Sequence, residues 1–189
     1  MDRSMIDTAI IPLDKEVYCF ELDDVLYPRR DYLLQVYYLF AQFVEFTEGR
    51  PSANDLVAFM KNAYIHHGED RVFTLAQEAF GFDRGYEENL NRLQANAQLP
   101  LRLVLFEKIE RFLKALFEKE KKIVILTKGN PVEQLNKIKH LTWGTLDTHK
   151  DSLRVYFIDE LEYRGYVPVD YIAQEFKVTK DKIFYTNGK

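Results

Sequence analysis

The sequence predicts an α/β protein: a parallel sheet of buried strands, interrupted after its first strand by an all-helical segment. Three observations carry this. Short apolar runs recur at Val17–Phe20, Lys122–Thr127, Arg154–Ile158 and Ile183–Thr186. Runs of that length without polar alternation mark strands covered on both faces. Helical patterns separate the later runs, which favours parallel pairing through right-handed crossovers. Between the first run and the second, residues 31–97 carry helical periodicity and no strand alternation.

The elements follow in order. A helix is predicted from Asp31 to Val44, with apolar residues at i, i+3 and i+4 and Asp31 as its N-cap. Gly49-Arg50-Pro51-Ser52 breaks it. A second helical pattern runs from Asn54 to Ile65, a third from Asp70 to Phe80, and a more polar fourth from Glu87 to Ala97. Leu105 to Glu120 is amphipathic, with Ile109, Phe112, Leu113, Leu116 and Phe117 on its inward face. Pro131 to His140 reads as a helix with proline in its first turn, and Tyr171 to Phe176 as a short one. The expected organisation is a core of residues 1–30 and 98–189 with residues 31–97 as a helical cap.

Composition excludes several function classes. A chain of 189 residues can bury a real core. A net charge of −4 gives no field to draw in nucleic acid or an anionic membrane surface. No apolar run approaches the roughly 20 residues of a membrane span, and the first residues lack a secretory h-region. A cytoplasmic protein with neither nucleic acid nor membrane as partner is expected. Nothing in the sequence fixes an oligomeric state. The single cysteine, Cys19, permits no internal disulfide and reads as a small buried residue of the first strand.

The chemistry concentrates where the first apolar run ends in Glu21, Asp23 and Asp24. Open parallel sheets place ligands just past the carboxyl ends of their strands. The stretch Val17-Tyr18-Cys19-Phe20-Glu21-Leu22-Asp23-Asp24-Val25-Leu26 resembles the first motif of the haloacid dehalogenase (HAD) superfamily. That motif is an apolar strand followed by Asp-x-Asp-x-Thr/Val-Leu. The run Ile123-Val124-Ile125-Leu126-Thr127-Lys128-Gly129-Asn130-Pro131, followed by Gln134 and Lys137-Ile138, resembles the second motif of one phosphatase branch of the family.

The resemblance implies a HAD-like Rossmannoid core with an inserted α-helical cap, and a site for a small phosphorylated molecule. In this chemistry a carboxylate attacks phosphorus and becomes an acyl phosphate. A second acid protonates the leaving oxygen and later activates water. Hydroxyl, backbone N–H and cationic groups hold the phosphoryl oxygens. Carried onto this chain, Glu21 stands at the nucleophile position and Asp23 at the acid/base position. Thr127, Lys128 and Gly129 would form the phosphate cradle, aided by the helix N-terminus at Pro131. The family's third motif supplies a lysine; here Glu162–Pro168 offers Arg164 as its only cation. The fourth motif matches at Asn187, and the acid expected four residues on is not in this sequence. The resemblance implies Mg²⁺ as cofactor, with Glu21, Asp23 and Asn187 as its ligands.

Glu21 replaces the family's aspartate, so the attacking carboxylate is displaced by a methylene. Two functions are therefore expected. One is a phosphatase-type hydrolase of a small phosphorylated metabolite, with catalysis impaired or lost. The other is a non-catalytic HAD-like protein, a pseudoenzyme that binds a phospho-ligand or a protein partner. Lys137 and Lys139 read as solvated helix residues. His66-His67 reads as a surface pair, because adjacent residues leave a helix on different faces.

Overall fold

The computed structural model describes residues 7–186. Contacts divide the chain into two compact units, Met1–Arg29 with Arg102–Lys189, and Arg30–Leu101.

The first unit is built on a four-stranded parallel sheet in which Arg154–Phe157, Lys122–Thr127, Val17–Phe20 and Ile183–Thr186 lie side by side in that order. Its strands are β1 (Val17–Phe20), β3 (Lys122–Thr127), β5 (Arg154–Phe157) and β6 (Ile183–Thr186). All four β1 residues are buried because both faces of the sheet are covered. Val17 and Cys19 point one way, joining Val124, Leu126 and Ile183. That layer packs on Ile158 and Leu161 of α7 (Ile158–Tyr163) and on Ile172 and Ala173 of α8 (Pro168–Phe176). Tyr18 and Phe20 point the other way and meet Phe112 of α5 (Glu107–Glu118) edge-on, with ring centroids 6.2 and 6.3 Å apart. Burial pushes the Cys19 thiol up to about 12, which keeps it an inert packing group.

A second sheet is present outside the four predicted strands. β2 (Leu103–Val104) pairs in parallel with β4 (Leu141–Thr142), matching Leu103 to Leu141. Each is two residues long, too short to carry a periodicity. Trp143 follows, buried. Next comes Gly144, whose φ of +56° lies in the left-handed region. The Glu110 carboxylate lies against it, accepting the Thr145 N–H at 2.9 Å and the Thr145 hydroxyl at 3.0 Å. A Cβ on Gly144 would run into that carboxylate. Gly144→Ala should therefore cost about 1–3 kcal/mol, measurable as a shift in the urea midpoint. An unchanged midpoint would mean that this turn relaxes freely.

The second unit is helical: α1 (Arg29–Glu48), α2 (Ala53–His67), α3 (Val72–Phe80) and α4 (Glu87–Asn96). α1 buries Tyr32, Leu33, Val36, Tyr37, Phe40, Ala41 and Val44, the spacing of one helical face. Phe40, Phe73 and Phe82 form a triangle of edge-to-face rings with centroids 5.8–6.1 Å apart. Asp31 is not the N-cap of α1. The helix begins two residues earlier, and the Arg29 N–H is taken at 3.0 Å by the Asp24 carboxylate, leaving Asp31 in the first turn. α2 is capped by Ser52, whose hydroxyl accepts the Asp55 N–H. His66 and His67 are exposed at its end. Among the described residues, no helix is long and apolar enough to cross a membrane.

Candidate functional site

The site is assembled at the carboxyl ends of β1 and β3. The register aligns Phe20 with Ile125, so the residues that leave each strand are neighbours. Thr127, the last residue of β3, is wholly buried. Its hydroxyl donates a hydrogen bond to Glu21 Oε1. The same oxygen accepts the Leu22 N–H at 2.8 Å, and Glu21 Oε2 accepts the Lys128 N–H at 3.1 Å. The next donor, the Gly129 N–H, goes to Asp159 Oδ2 of α7 at 2.7 Å. Gly129 has φ +106°, and a Cβ there would press on Gln134 Nε2 at 3.2 Å, so only glycine suits the position. The three donors that sequence reasoning assigned to a phosphate are thus held by two carboxylates of the chain itself. Burial pushes the Glu21 carboxyl up. The Thr127 and Leu22 hydrogen bonds oppose this, and the nearby Asp23 charge adds to it.

Asp23 has a different environment. Between Asp23 and Tyr27 the chain makes a tight loop, with Asp24 left-handed at φ +60° and its N–H donated to the Tyr27 carbonyl. The Tyr27 hydroxyl donates to Asp23 Oδ1 at 2.7 Å. Asp23 Oδ2 lies 2.7 Å from the Lys137 ammonium, 3.3 Å from Gln134 Nε2 and 3.8 Å from the Arg29 guanidinium. Burial alone would raise the Asp23 carboxyl, but Lys137, Arg29 and Tyr27 outweigh it and hold the group below its ordinary value.

Lys137 corrects the sequence reading. It is not solvated; its side chain is 0% exposed and also lies 2.6 Å from Glu133 Oε1. The reason is that α6 (Pro131–His140) is turned inside out. Gln134, Asn136, Lys137 and His140 are buried, while Val132 and Leu135 are about half exposed. Asn130 caps this helix through its side chain, and Pro131 opens it. Lys139 is exposed, as its sequence context suggested. The sequence did carry a signal for the buried group. Gln134 and Lys137 are spaced i, i+3, and Glu133 and Lys137 i, i+4, so all three share one helix face.

The other site residues separate. Arg164 ends α7, half exposed, 3.5 Å from Glu160 and stacked over Tyr166. Its charge is engaged there and not with Glu21 or Thr127. The Lys128 side chain is exposed, so this residue meets the cluster through its backbone. Asn187 lies outside the described residues. Asp159, Tyr27 and Arg29 were missed: Asp159 lies 30 residues from Gly129, and Tyr27 and Arg29 are close to Asp23 in the chain but reach its carboxylate only through the fold of the tight loop.

These side chains do not fit a divalent cation. Among the described residues, no group of three His, Cys, Asp or Glu is placed to hold a metal ion. Both Asp23 oxygens already accept donors. Mg²⁺ takes oxygens at about 2.1 Å. An ion on Asp23 Oδ2 would lie within about 5 Å of the Lys137 ammonium, itself 2.7 Å from that oxygen. Repulsion between +2 and +1 charges at that range is roughly 7 kcal/mol at an effective dielectric near 20.

One pH dependence follows from Asp23. Its folded value is depressed. Its contribution to stability is therefore fully present above the ordinary aspartate value and is lost as pH falls through the folded value. Asp23→Asn should flatten the acid limb of the melting temperature against pH. Parallel acid limbs for the two proteins would show that Asp23 does not carry it.

A HAD family hydrolase from Deinococcus radiodurans R1, solved with bound phosphate and sodium, superimposes with a TM-score of 0.51 at 14% identity. The match covers 92% of this chain and 72% of that one. The fold is HAD-like. A haloacid dehalogenase-like family hydrolase from Xanthomonas campestris gives 0.47 at 14% identity, over 91% of this chain and 72% of the other. A dehalogenase solved with an intermediate complex gives 0.48 at 13%, over 91% and 76%. No family model matches the sequence, and no curated protein matches it.

Proposed function

We propose that this HAD-like chain is a phosphatase-type hydrolase by descent, directed at a small phosphorylated metabolite, in which catalysis is impaired or lost. The observation that carries the reading is the Glu21 carboxylate lodged against the Thr127 hydroxyl and the Lys128 N–H. Those groups are a hydroxyl and a backbone N–H at the end of a buried strand, the kind of donor that holds an oxyanion. The glutamate is long enough to fold back onto them. A phosphoryl group could use these donors only after displacing Glu21, and the Gly129 N–H only after displacing Asp159. The carboxylate expected to attack phosphorus thus competes with phosphate for its own site. The helical unit is read as the cap that selects the substrate, and phosphate as the ligand class is extended to this chain from the Deinococcus protein.

A second reading, that the chain binds a phospho-ligand or a protein partner without turnover, is favoured by Asp23. A general acid must carry a proton near the working pH. Lys137 and Arg29 hold Asp23 ionised, which suits an electrostatic role better than proton donation.

The test combines two measurements on the whole chain. Hydrolysis of p-nitrophenyl phosphate is followed with and without Mg²⁺, and inorganic phosphate is titrated by calorimetry into the wild type and Glu21→Ala. The expected result is turnover near background in the wild type, with phosphate bound more tightly by Glu21→Ala. Robust turnover by the wild type would overturn the impaired-catalysis reading. Equal phosphate affinity in the two proteins would overturn the competing-carboxylate account.

A further inference from the structure

We propose that the Lys137 ammonium is the resident cation of this site, standing where a divalent metal would otherwise balance its carboxylates, and that the site does not take Mg²⁺. Four observations support this. The ammonium is fully buried, and it reaches two carboxylates on different elements, Asp23 Oδ2 at 2.7 Å and Glu133 Oε1 at 2.6 Å. Those carboxylates are themselves only 11% and 12% exposed, so water screens the cluster little. Arg29 adds a second positive group 3.8 Å from the same Asp23 oxygen. Glu21, the other acid expected to hold the metal, has both oxygens engaged by Thr127, Leu22 and Lys128. An incoming Mg²⁺ would have to break charge-assisted hydrogen bonds and then sit beside an ammonium that cannot leave.

A lysine can do this because it is a compact point charge on a flexible stem. α6 makes it possible by burying its polar face, which brings Lys137 to Asp23. The charge is then fixed by the chain and does not depend on the metal concentration around it. Any oxyanion taken by the Thr127–Gly129 loop should bind equally well with and without Mg²⁺. That consequence rests on the phosphate reading above; the exclusion of the metal does not.

The experiment has three arms on the full chain. Mg²⁺ titrated into the wild type should give no saturable heat, and about 10 mM should leave its melting temperature unchanged within about 1 °C. Lys137→Ala leaves two buried carboxylates facing a vacated space, and the same Mg²⁺ should raise its melting temperature by about 5 °C or more. Mn²⁺, followed by its electron paramagnetic resonance signal, should be captured by Lys137→Ala and not by the wild type. In the third arm, inorganic phosphate is titrated with and without Mg²⁺, and its affinity should agree within about twofold. Saturable Mg²⁺ binding by the wild type overturns the proposal, whatever the variant does. A folded Lys137→Ala that ignores both metals also overturns it. If Lys137→Ala does not fold, Lys137→Gln takes its place under the same criteria. Absence of phosphate binding under all conditions would count against the phosphate reading alone, since the metal arms are read separately.

Discussion

Replacing Lys137 by methionine should destabilise the protein by about 3–5 kcal/mol, the typical cost of removing one partner from a buried ion pair. The side chain is fully buried, and its removal strands Asp23 and Glu133 together, each close to nine-tenths buried. Methionine fills much the same volume, so the loss reports charge and not a cavity. Two controls separate these causes. The triple variant Lys137→Met, Asp23→Asn, Glu133→Gln should recover most of the loss, because no ionised group is then left unpaired. The penalty for Lys137→Met should also shrink as pH falls, since the stranded Asp23 carboxylate can take up a proton. Urea unfolding at neutral and mildly acidic pH gives both results. A cost below about 1 kcal/mol would show that water reaches this cluster freely.

The second large effect concerns activity. Turnover of simple phosphate esters by the wild type should lie at or near background, and Glu21→Asp should raise it by less than about tenfold, or 1.4 kcal/mol of barrier. A displacement of about 1 Å from attacking geometry can by itself cost on the order of 10²-fold, so a site limited only by the extra methylene would gain far more. Three features of the site would limit it further. Asp159 occupies the Gly129 N–H, Asp23 is held ionised by Lys137, and Arg164 is engaged with Glu160. Shortening Glu21 changes none of them. These groups would serve one transition state, so their separate losses need not add. Steady-state kinetics of the two proteins, with and without Mg²⁺, provide the measurement. A gain near 10²-fold or above from the single substitution would show that the methylene alone limits the site.

The sheet was legible for a simple reason. β1, β3 and β6 are covered on both faces, so each reads as an unbroken apolar run, and β3 and β6 keep the bounds that their runs suggested. The helices of the second unit were legible through their buried faces, and their ends only within a few residues. At α1 the capping carboxylate comes from Asp24, five residues before Arg29 leaves the loop, and no local N-cap pattern describes that. The β2–β4 pair was invisible, because two-residue strands have no period to read.

Within the site, the sequence by itself determined which residues leave the strand ends. Glu21 follows β1 and Thr127 ends β3, and parallel neighbours in register bring their carboxyl ends together. The apolar runs and the alternation of elements are enough to dictate that much. What only the tertiary structure decided is where the charges go. A helix with Val132 and Leu135 on one side and Gln134 and Lys137 on the other reads as burying its apolar side. α6 does the reverse, and the buried Lys137 charge is met there by Asp23 and Glu133. The partners Asp23 and Lys137 are far apart in the chain, as are Gly129 and Asp159. An ion pair or hydrogen bond over such separations leaves no periodic trace in a sequence; it exists only once the sheet has set the strand ends side by side.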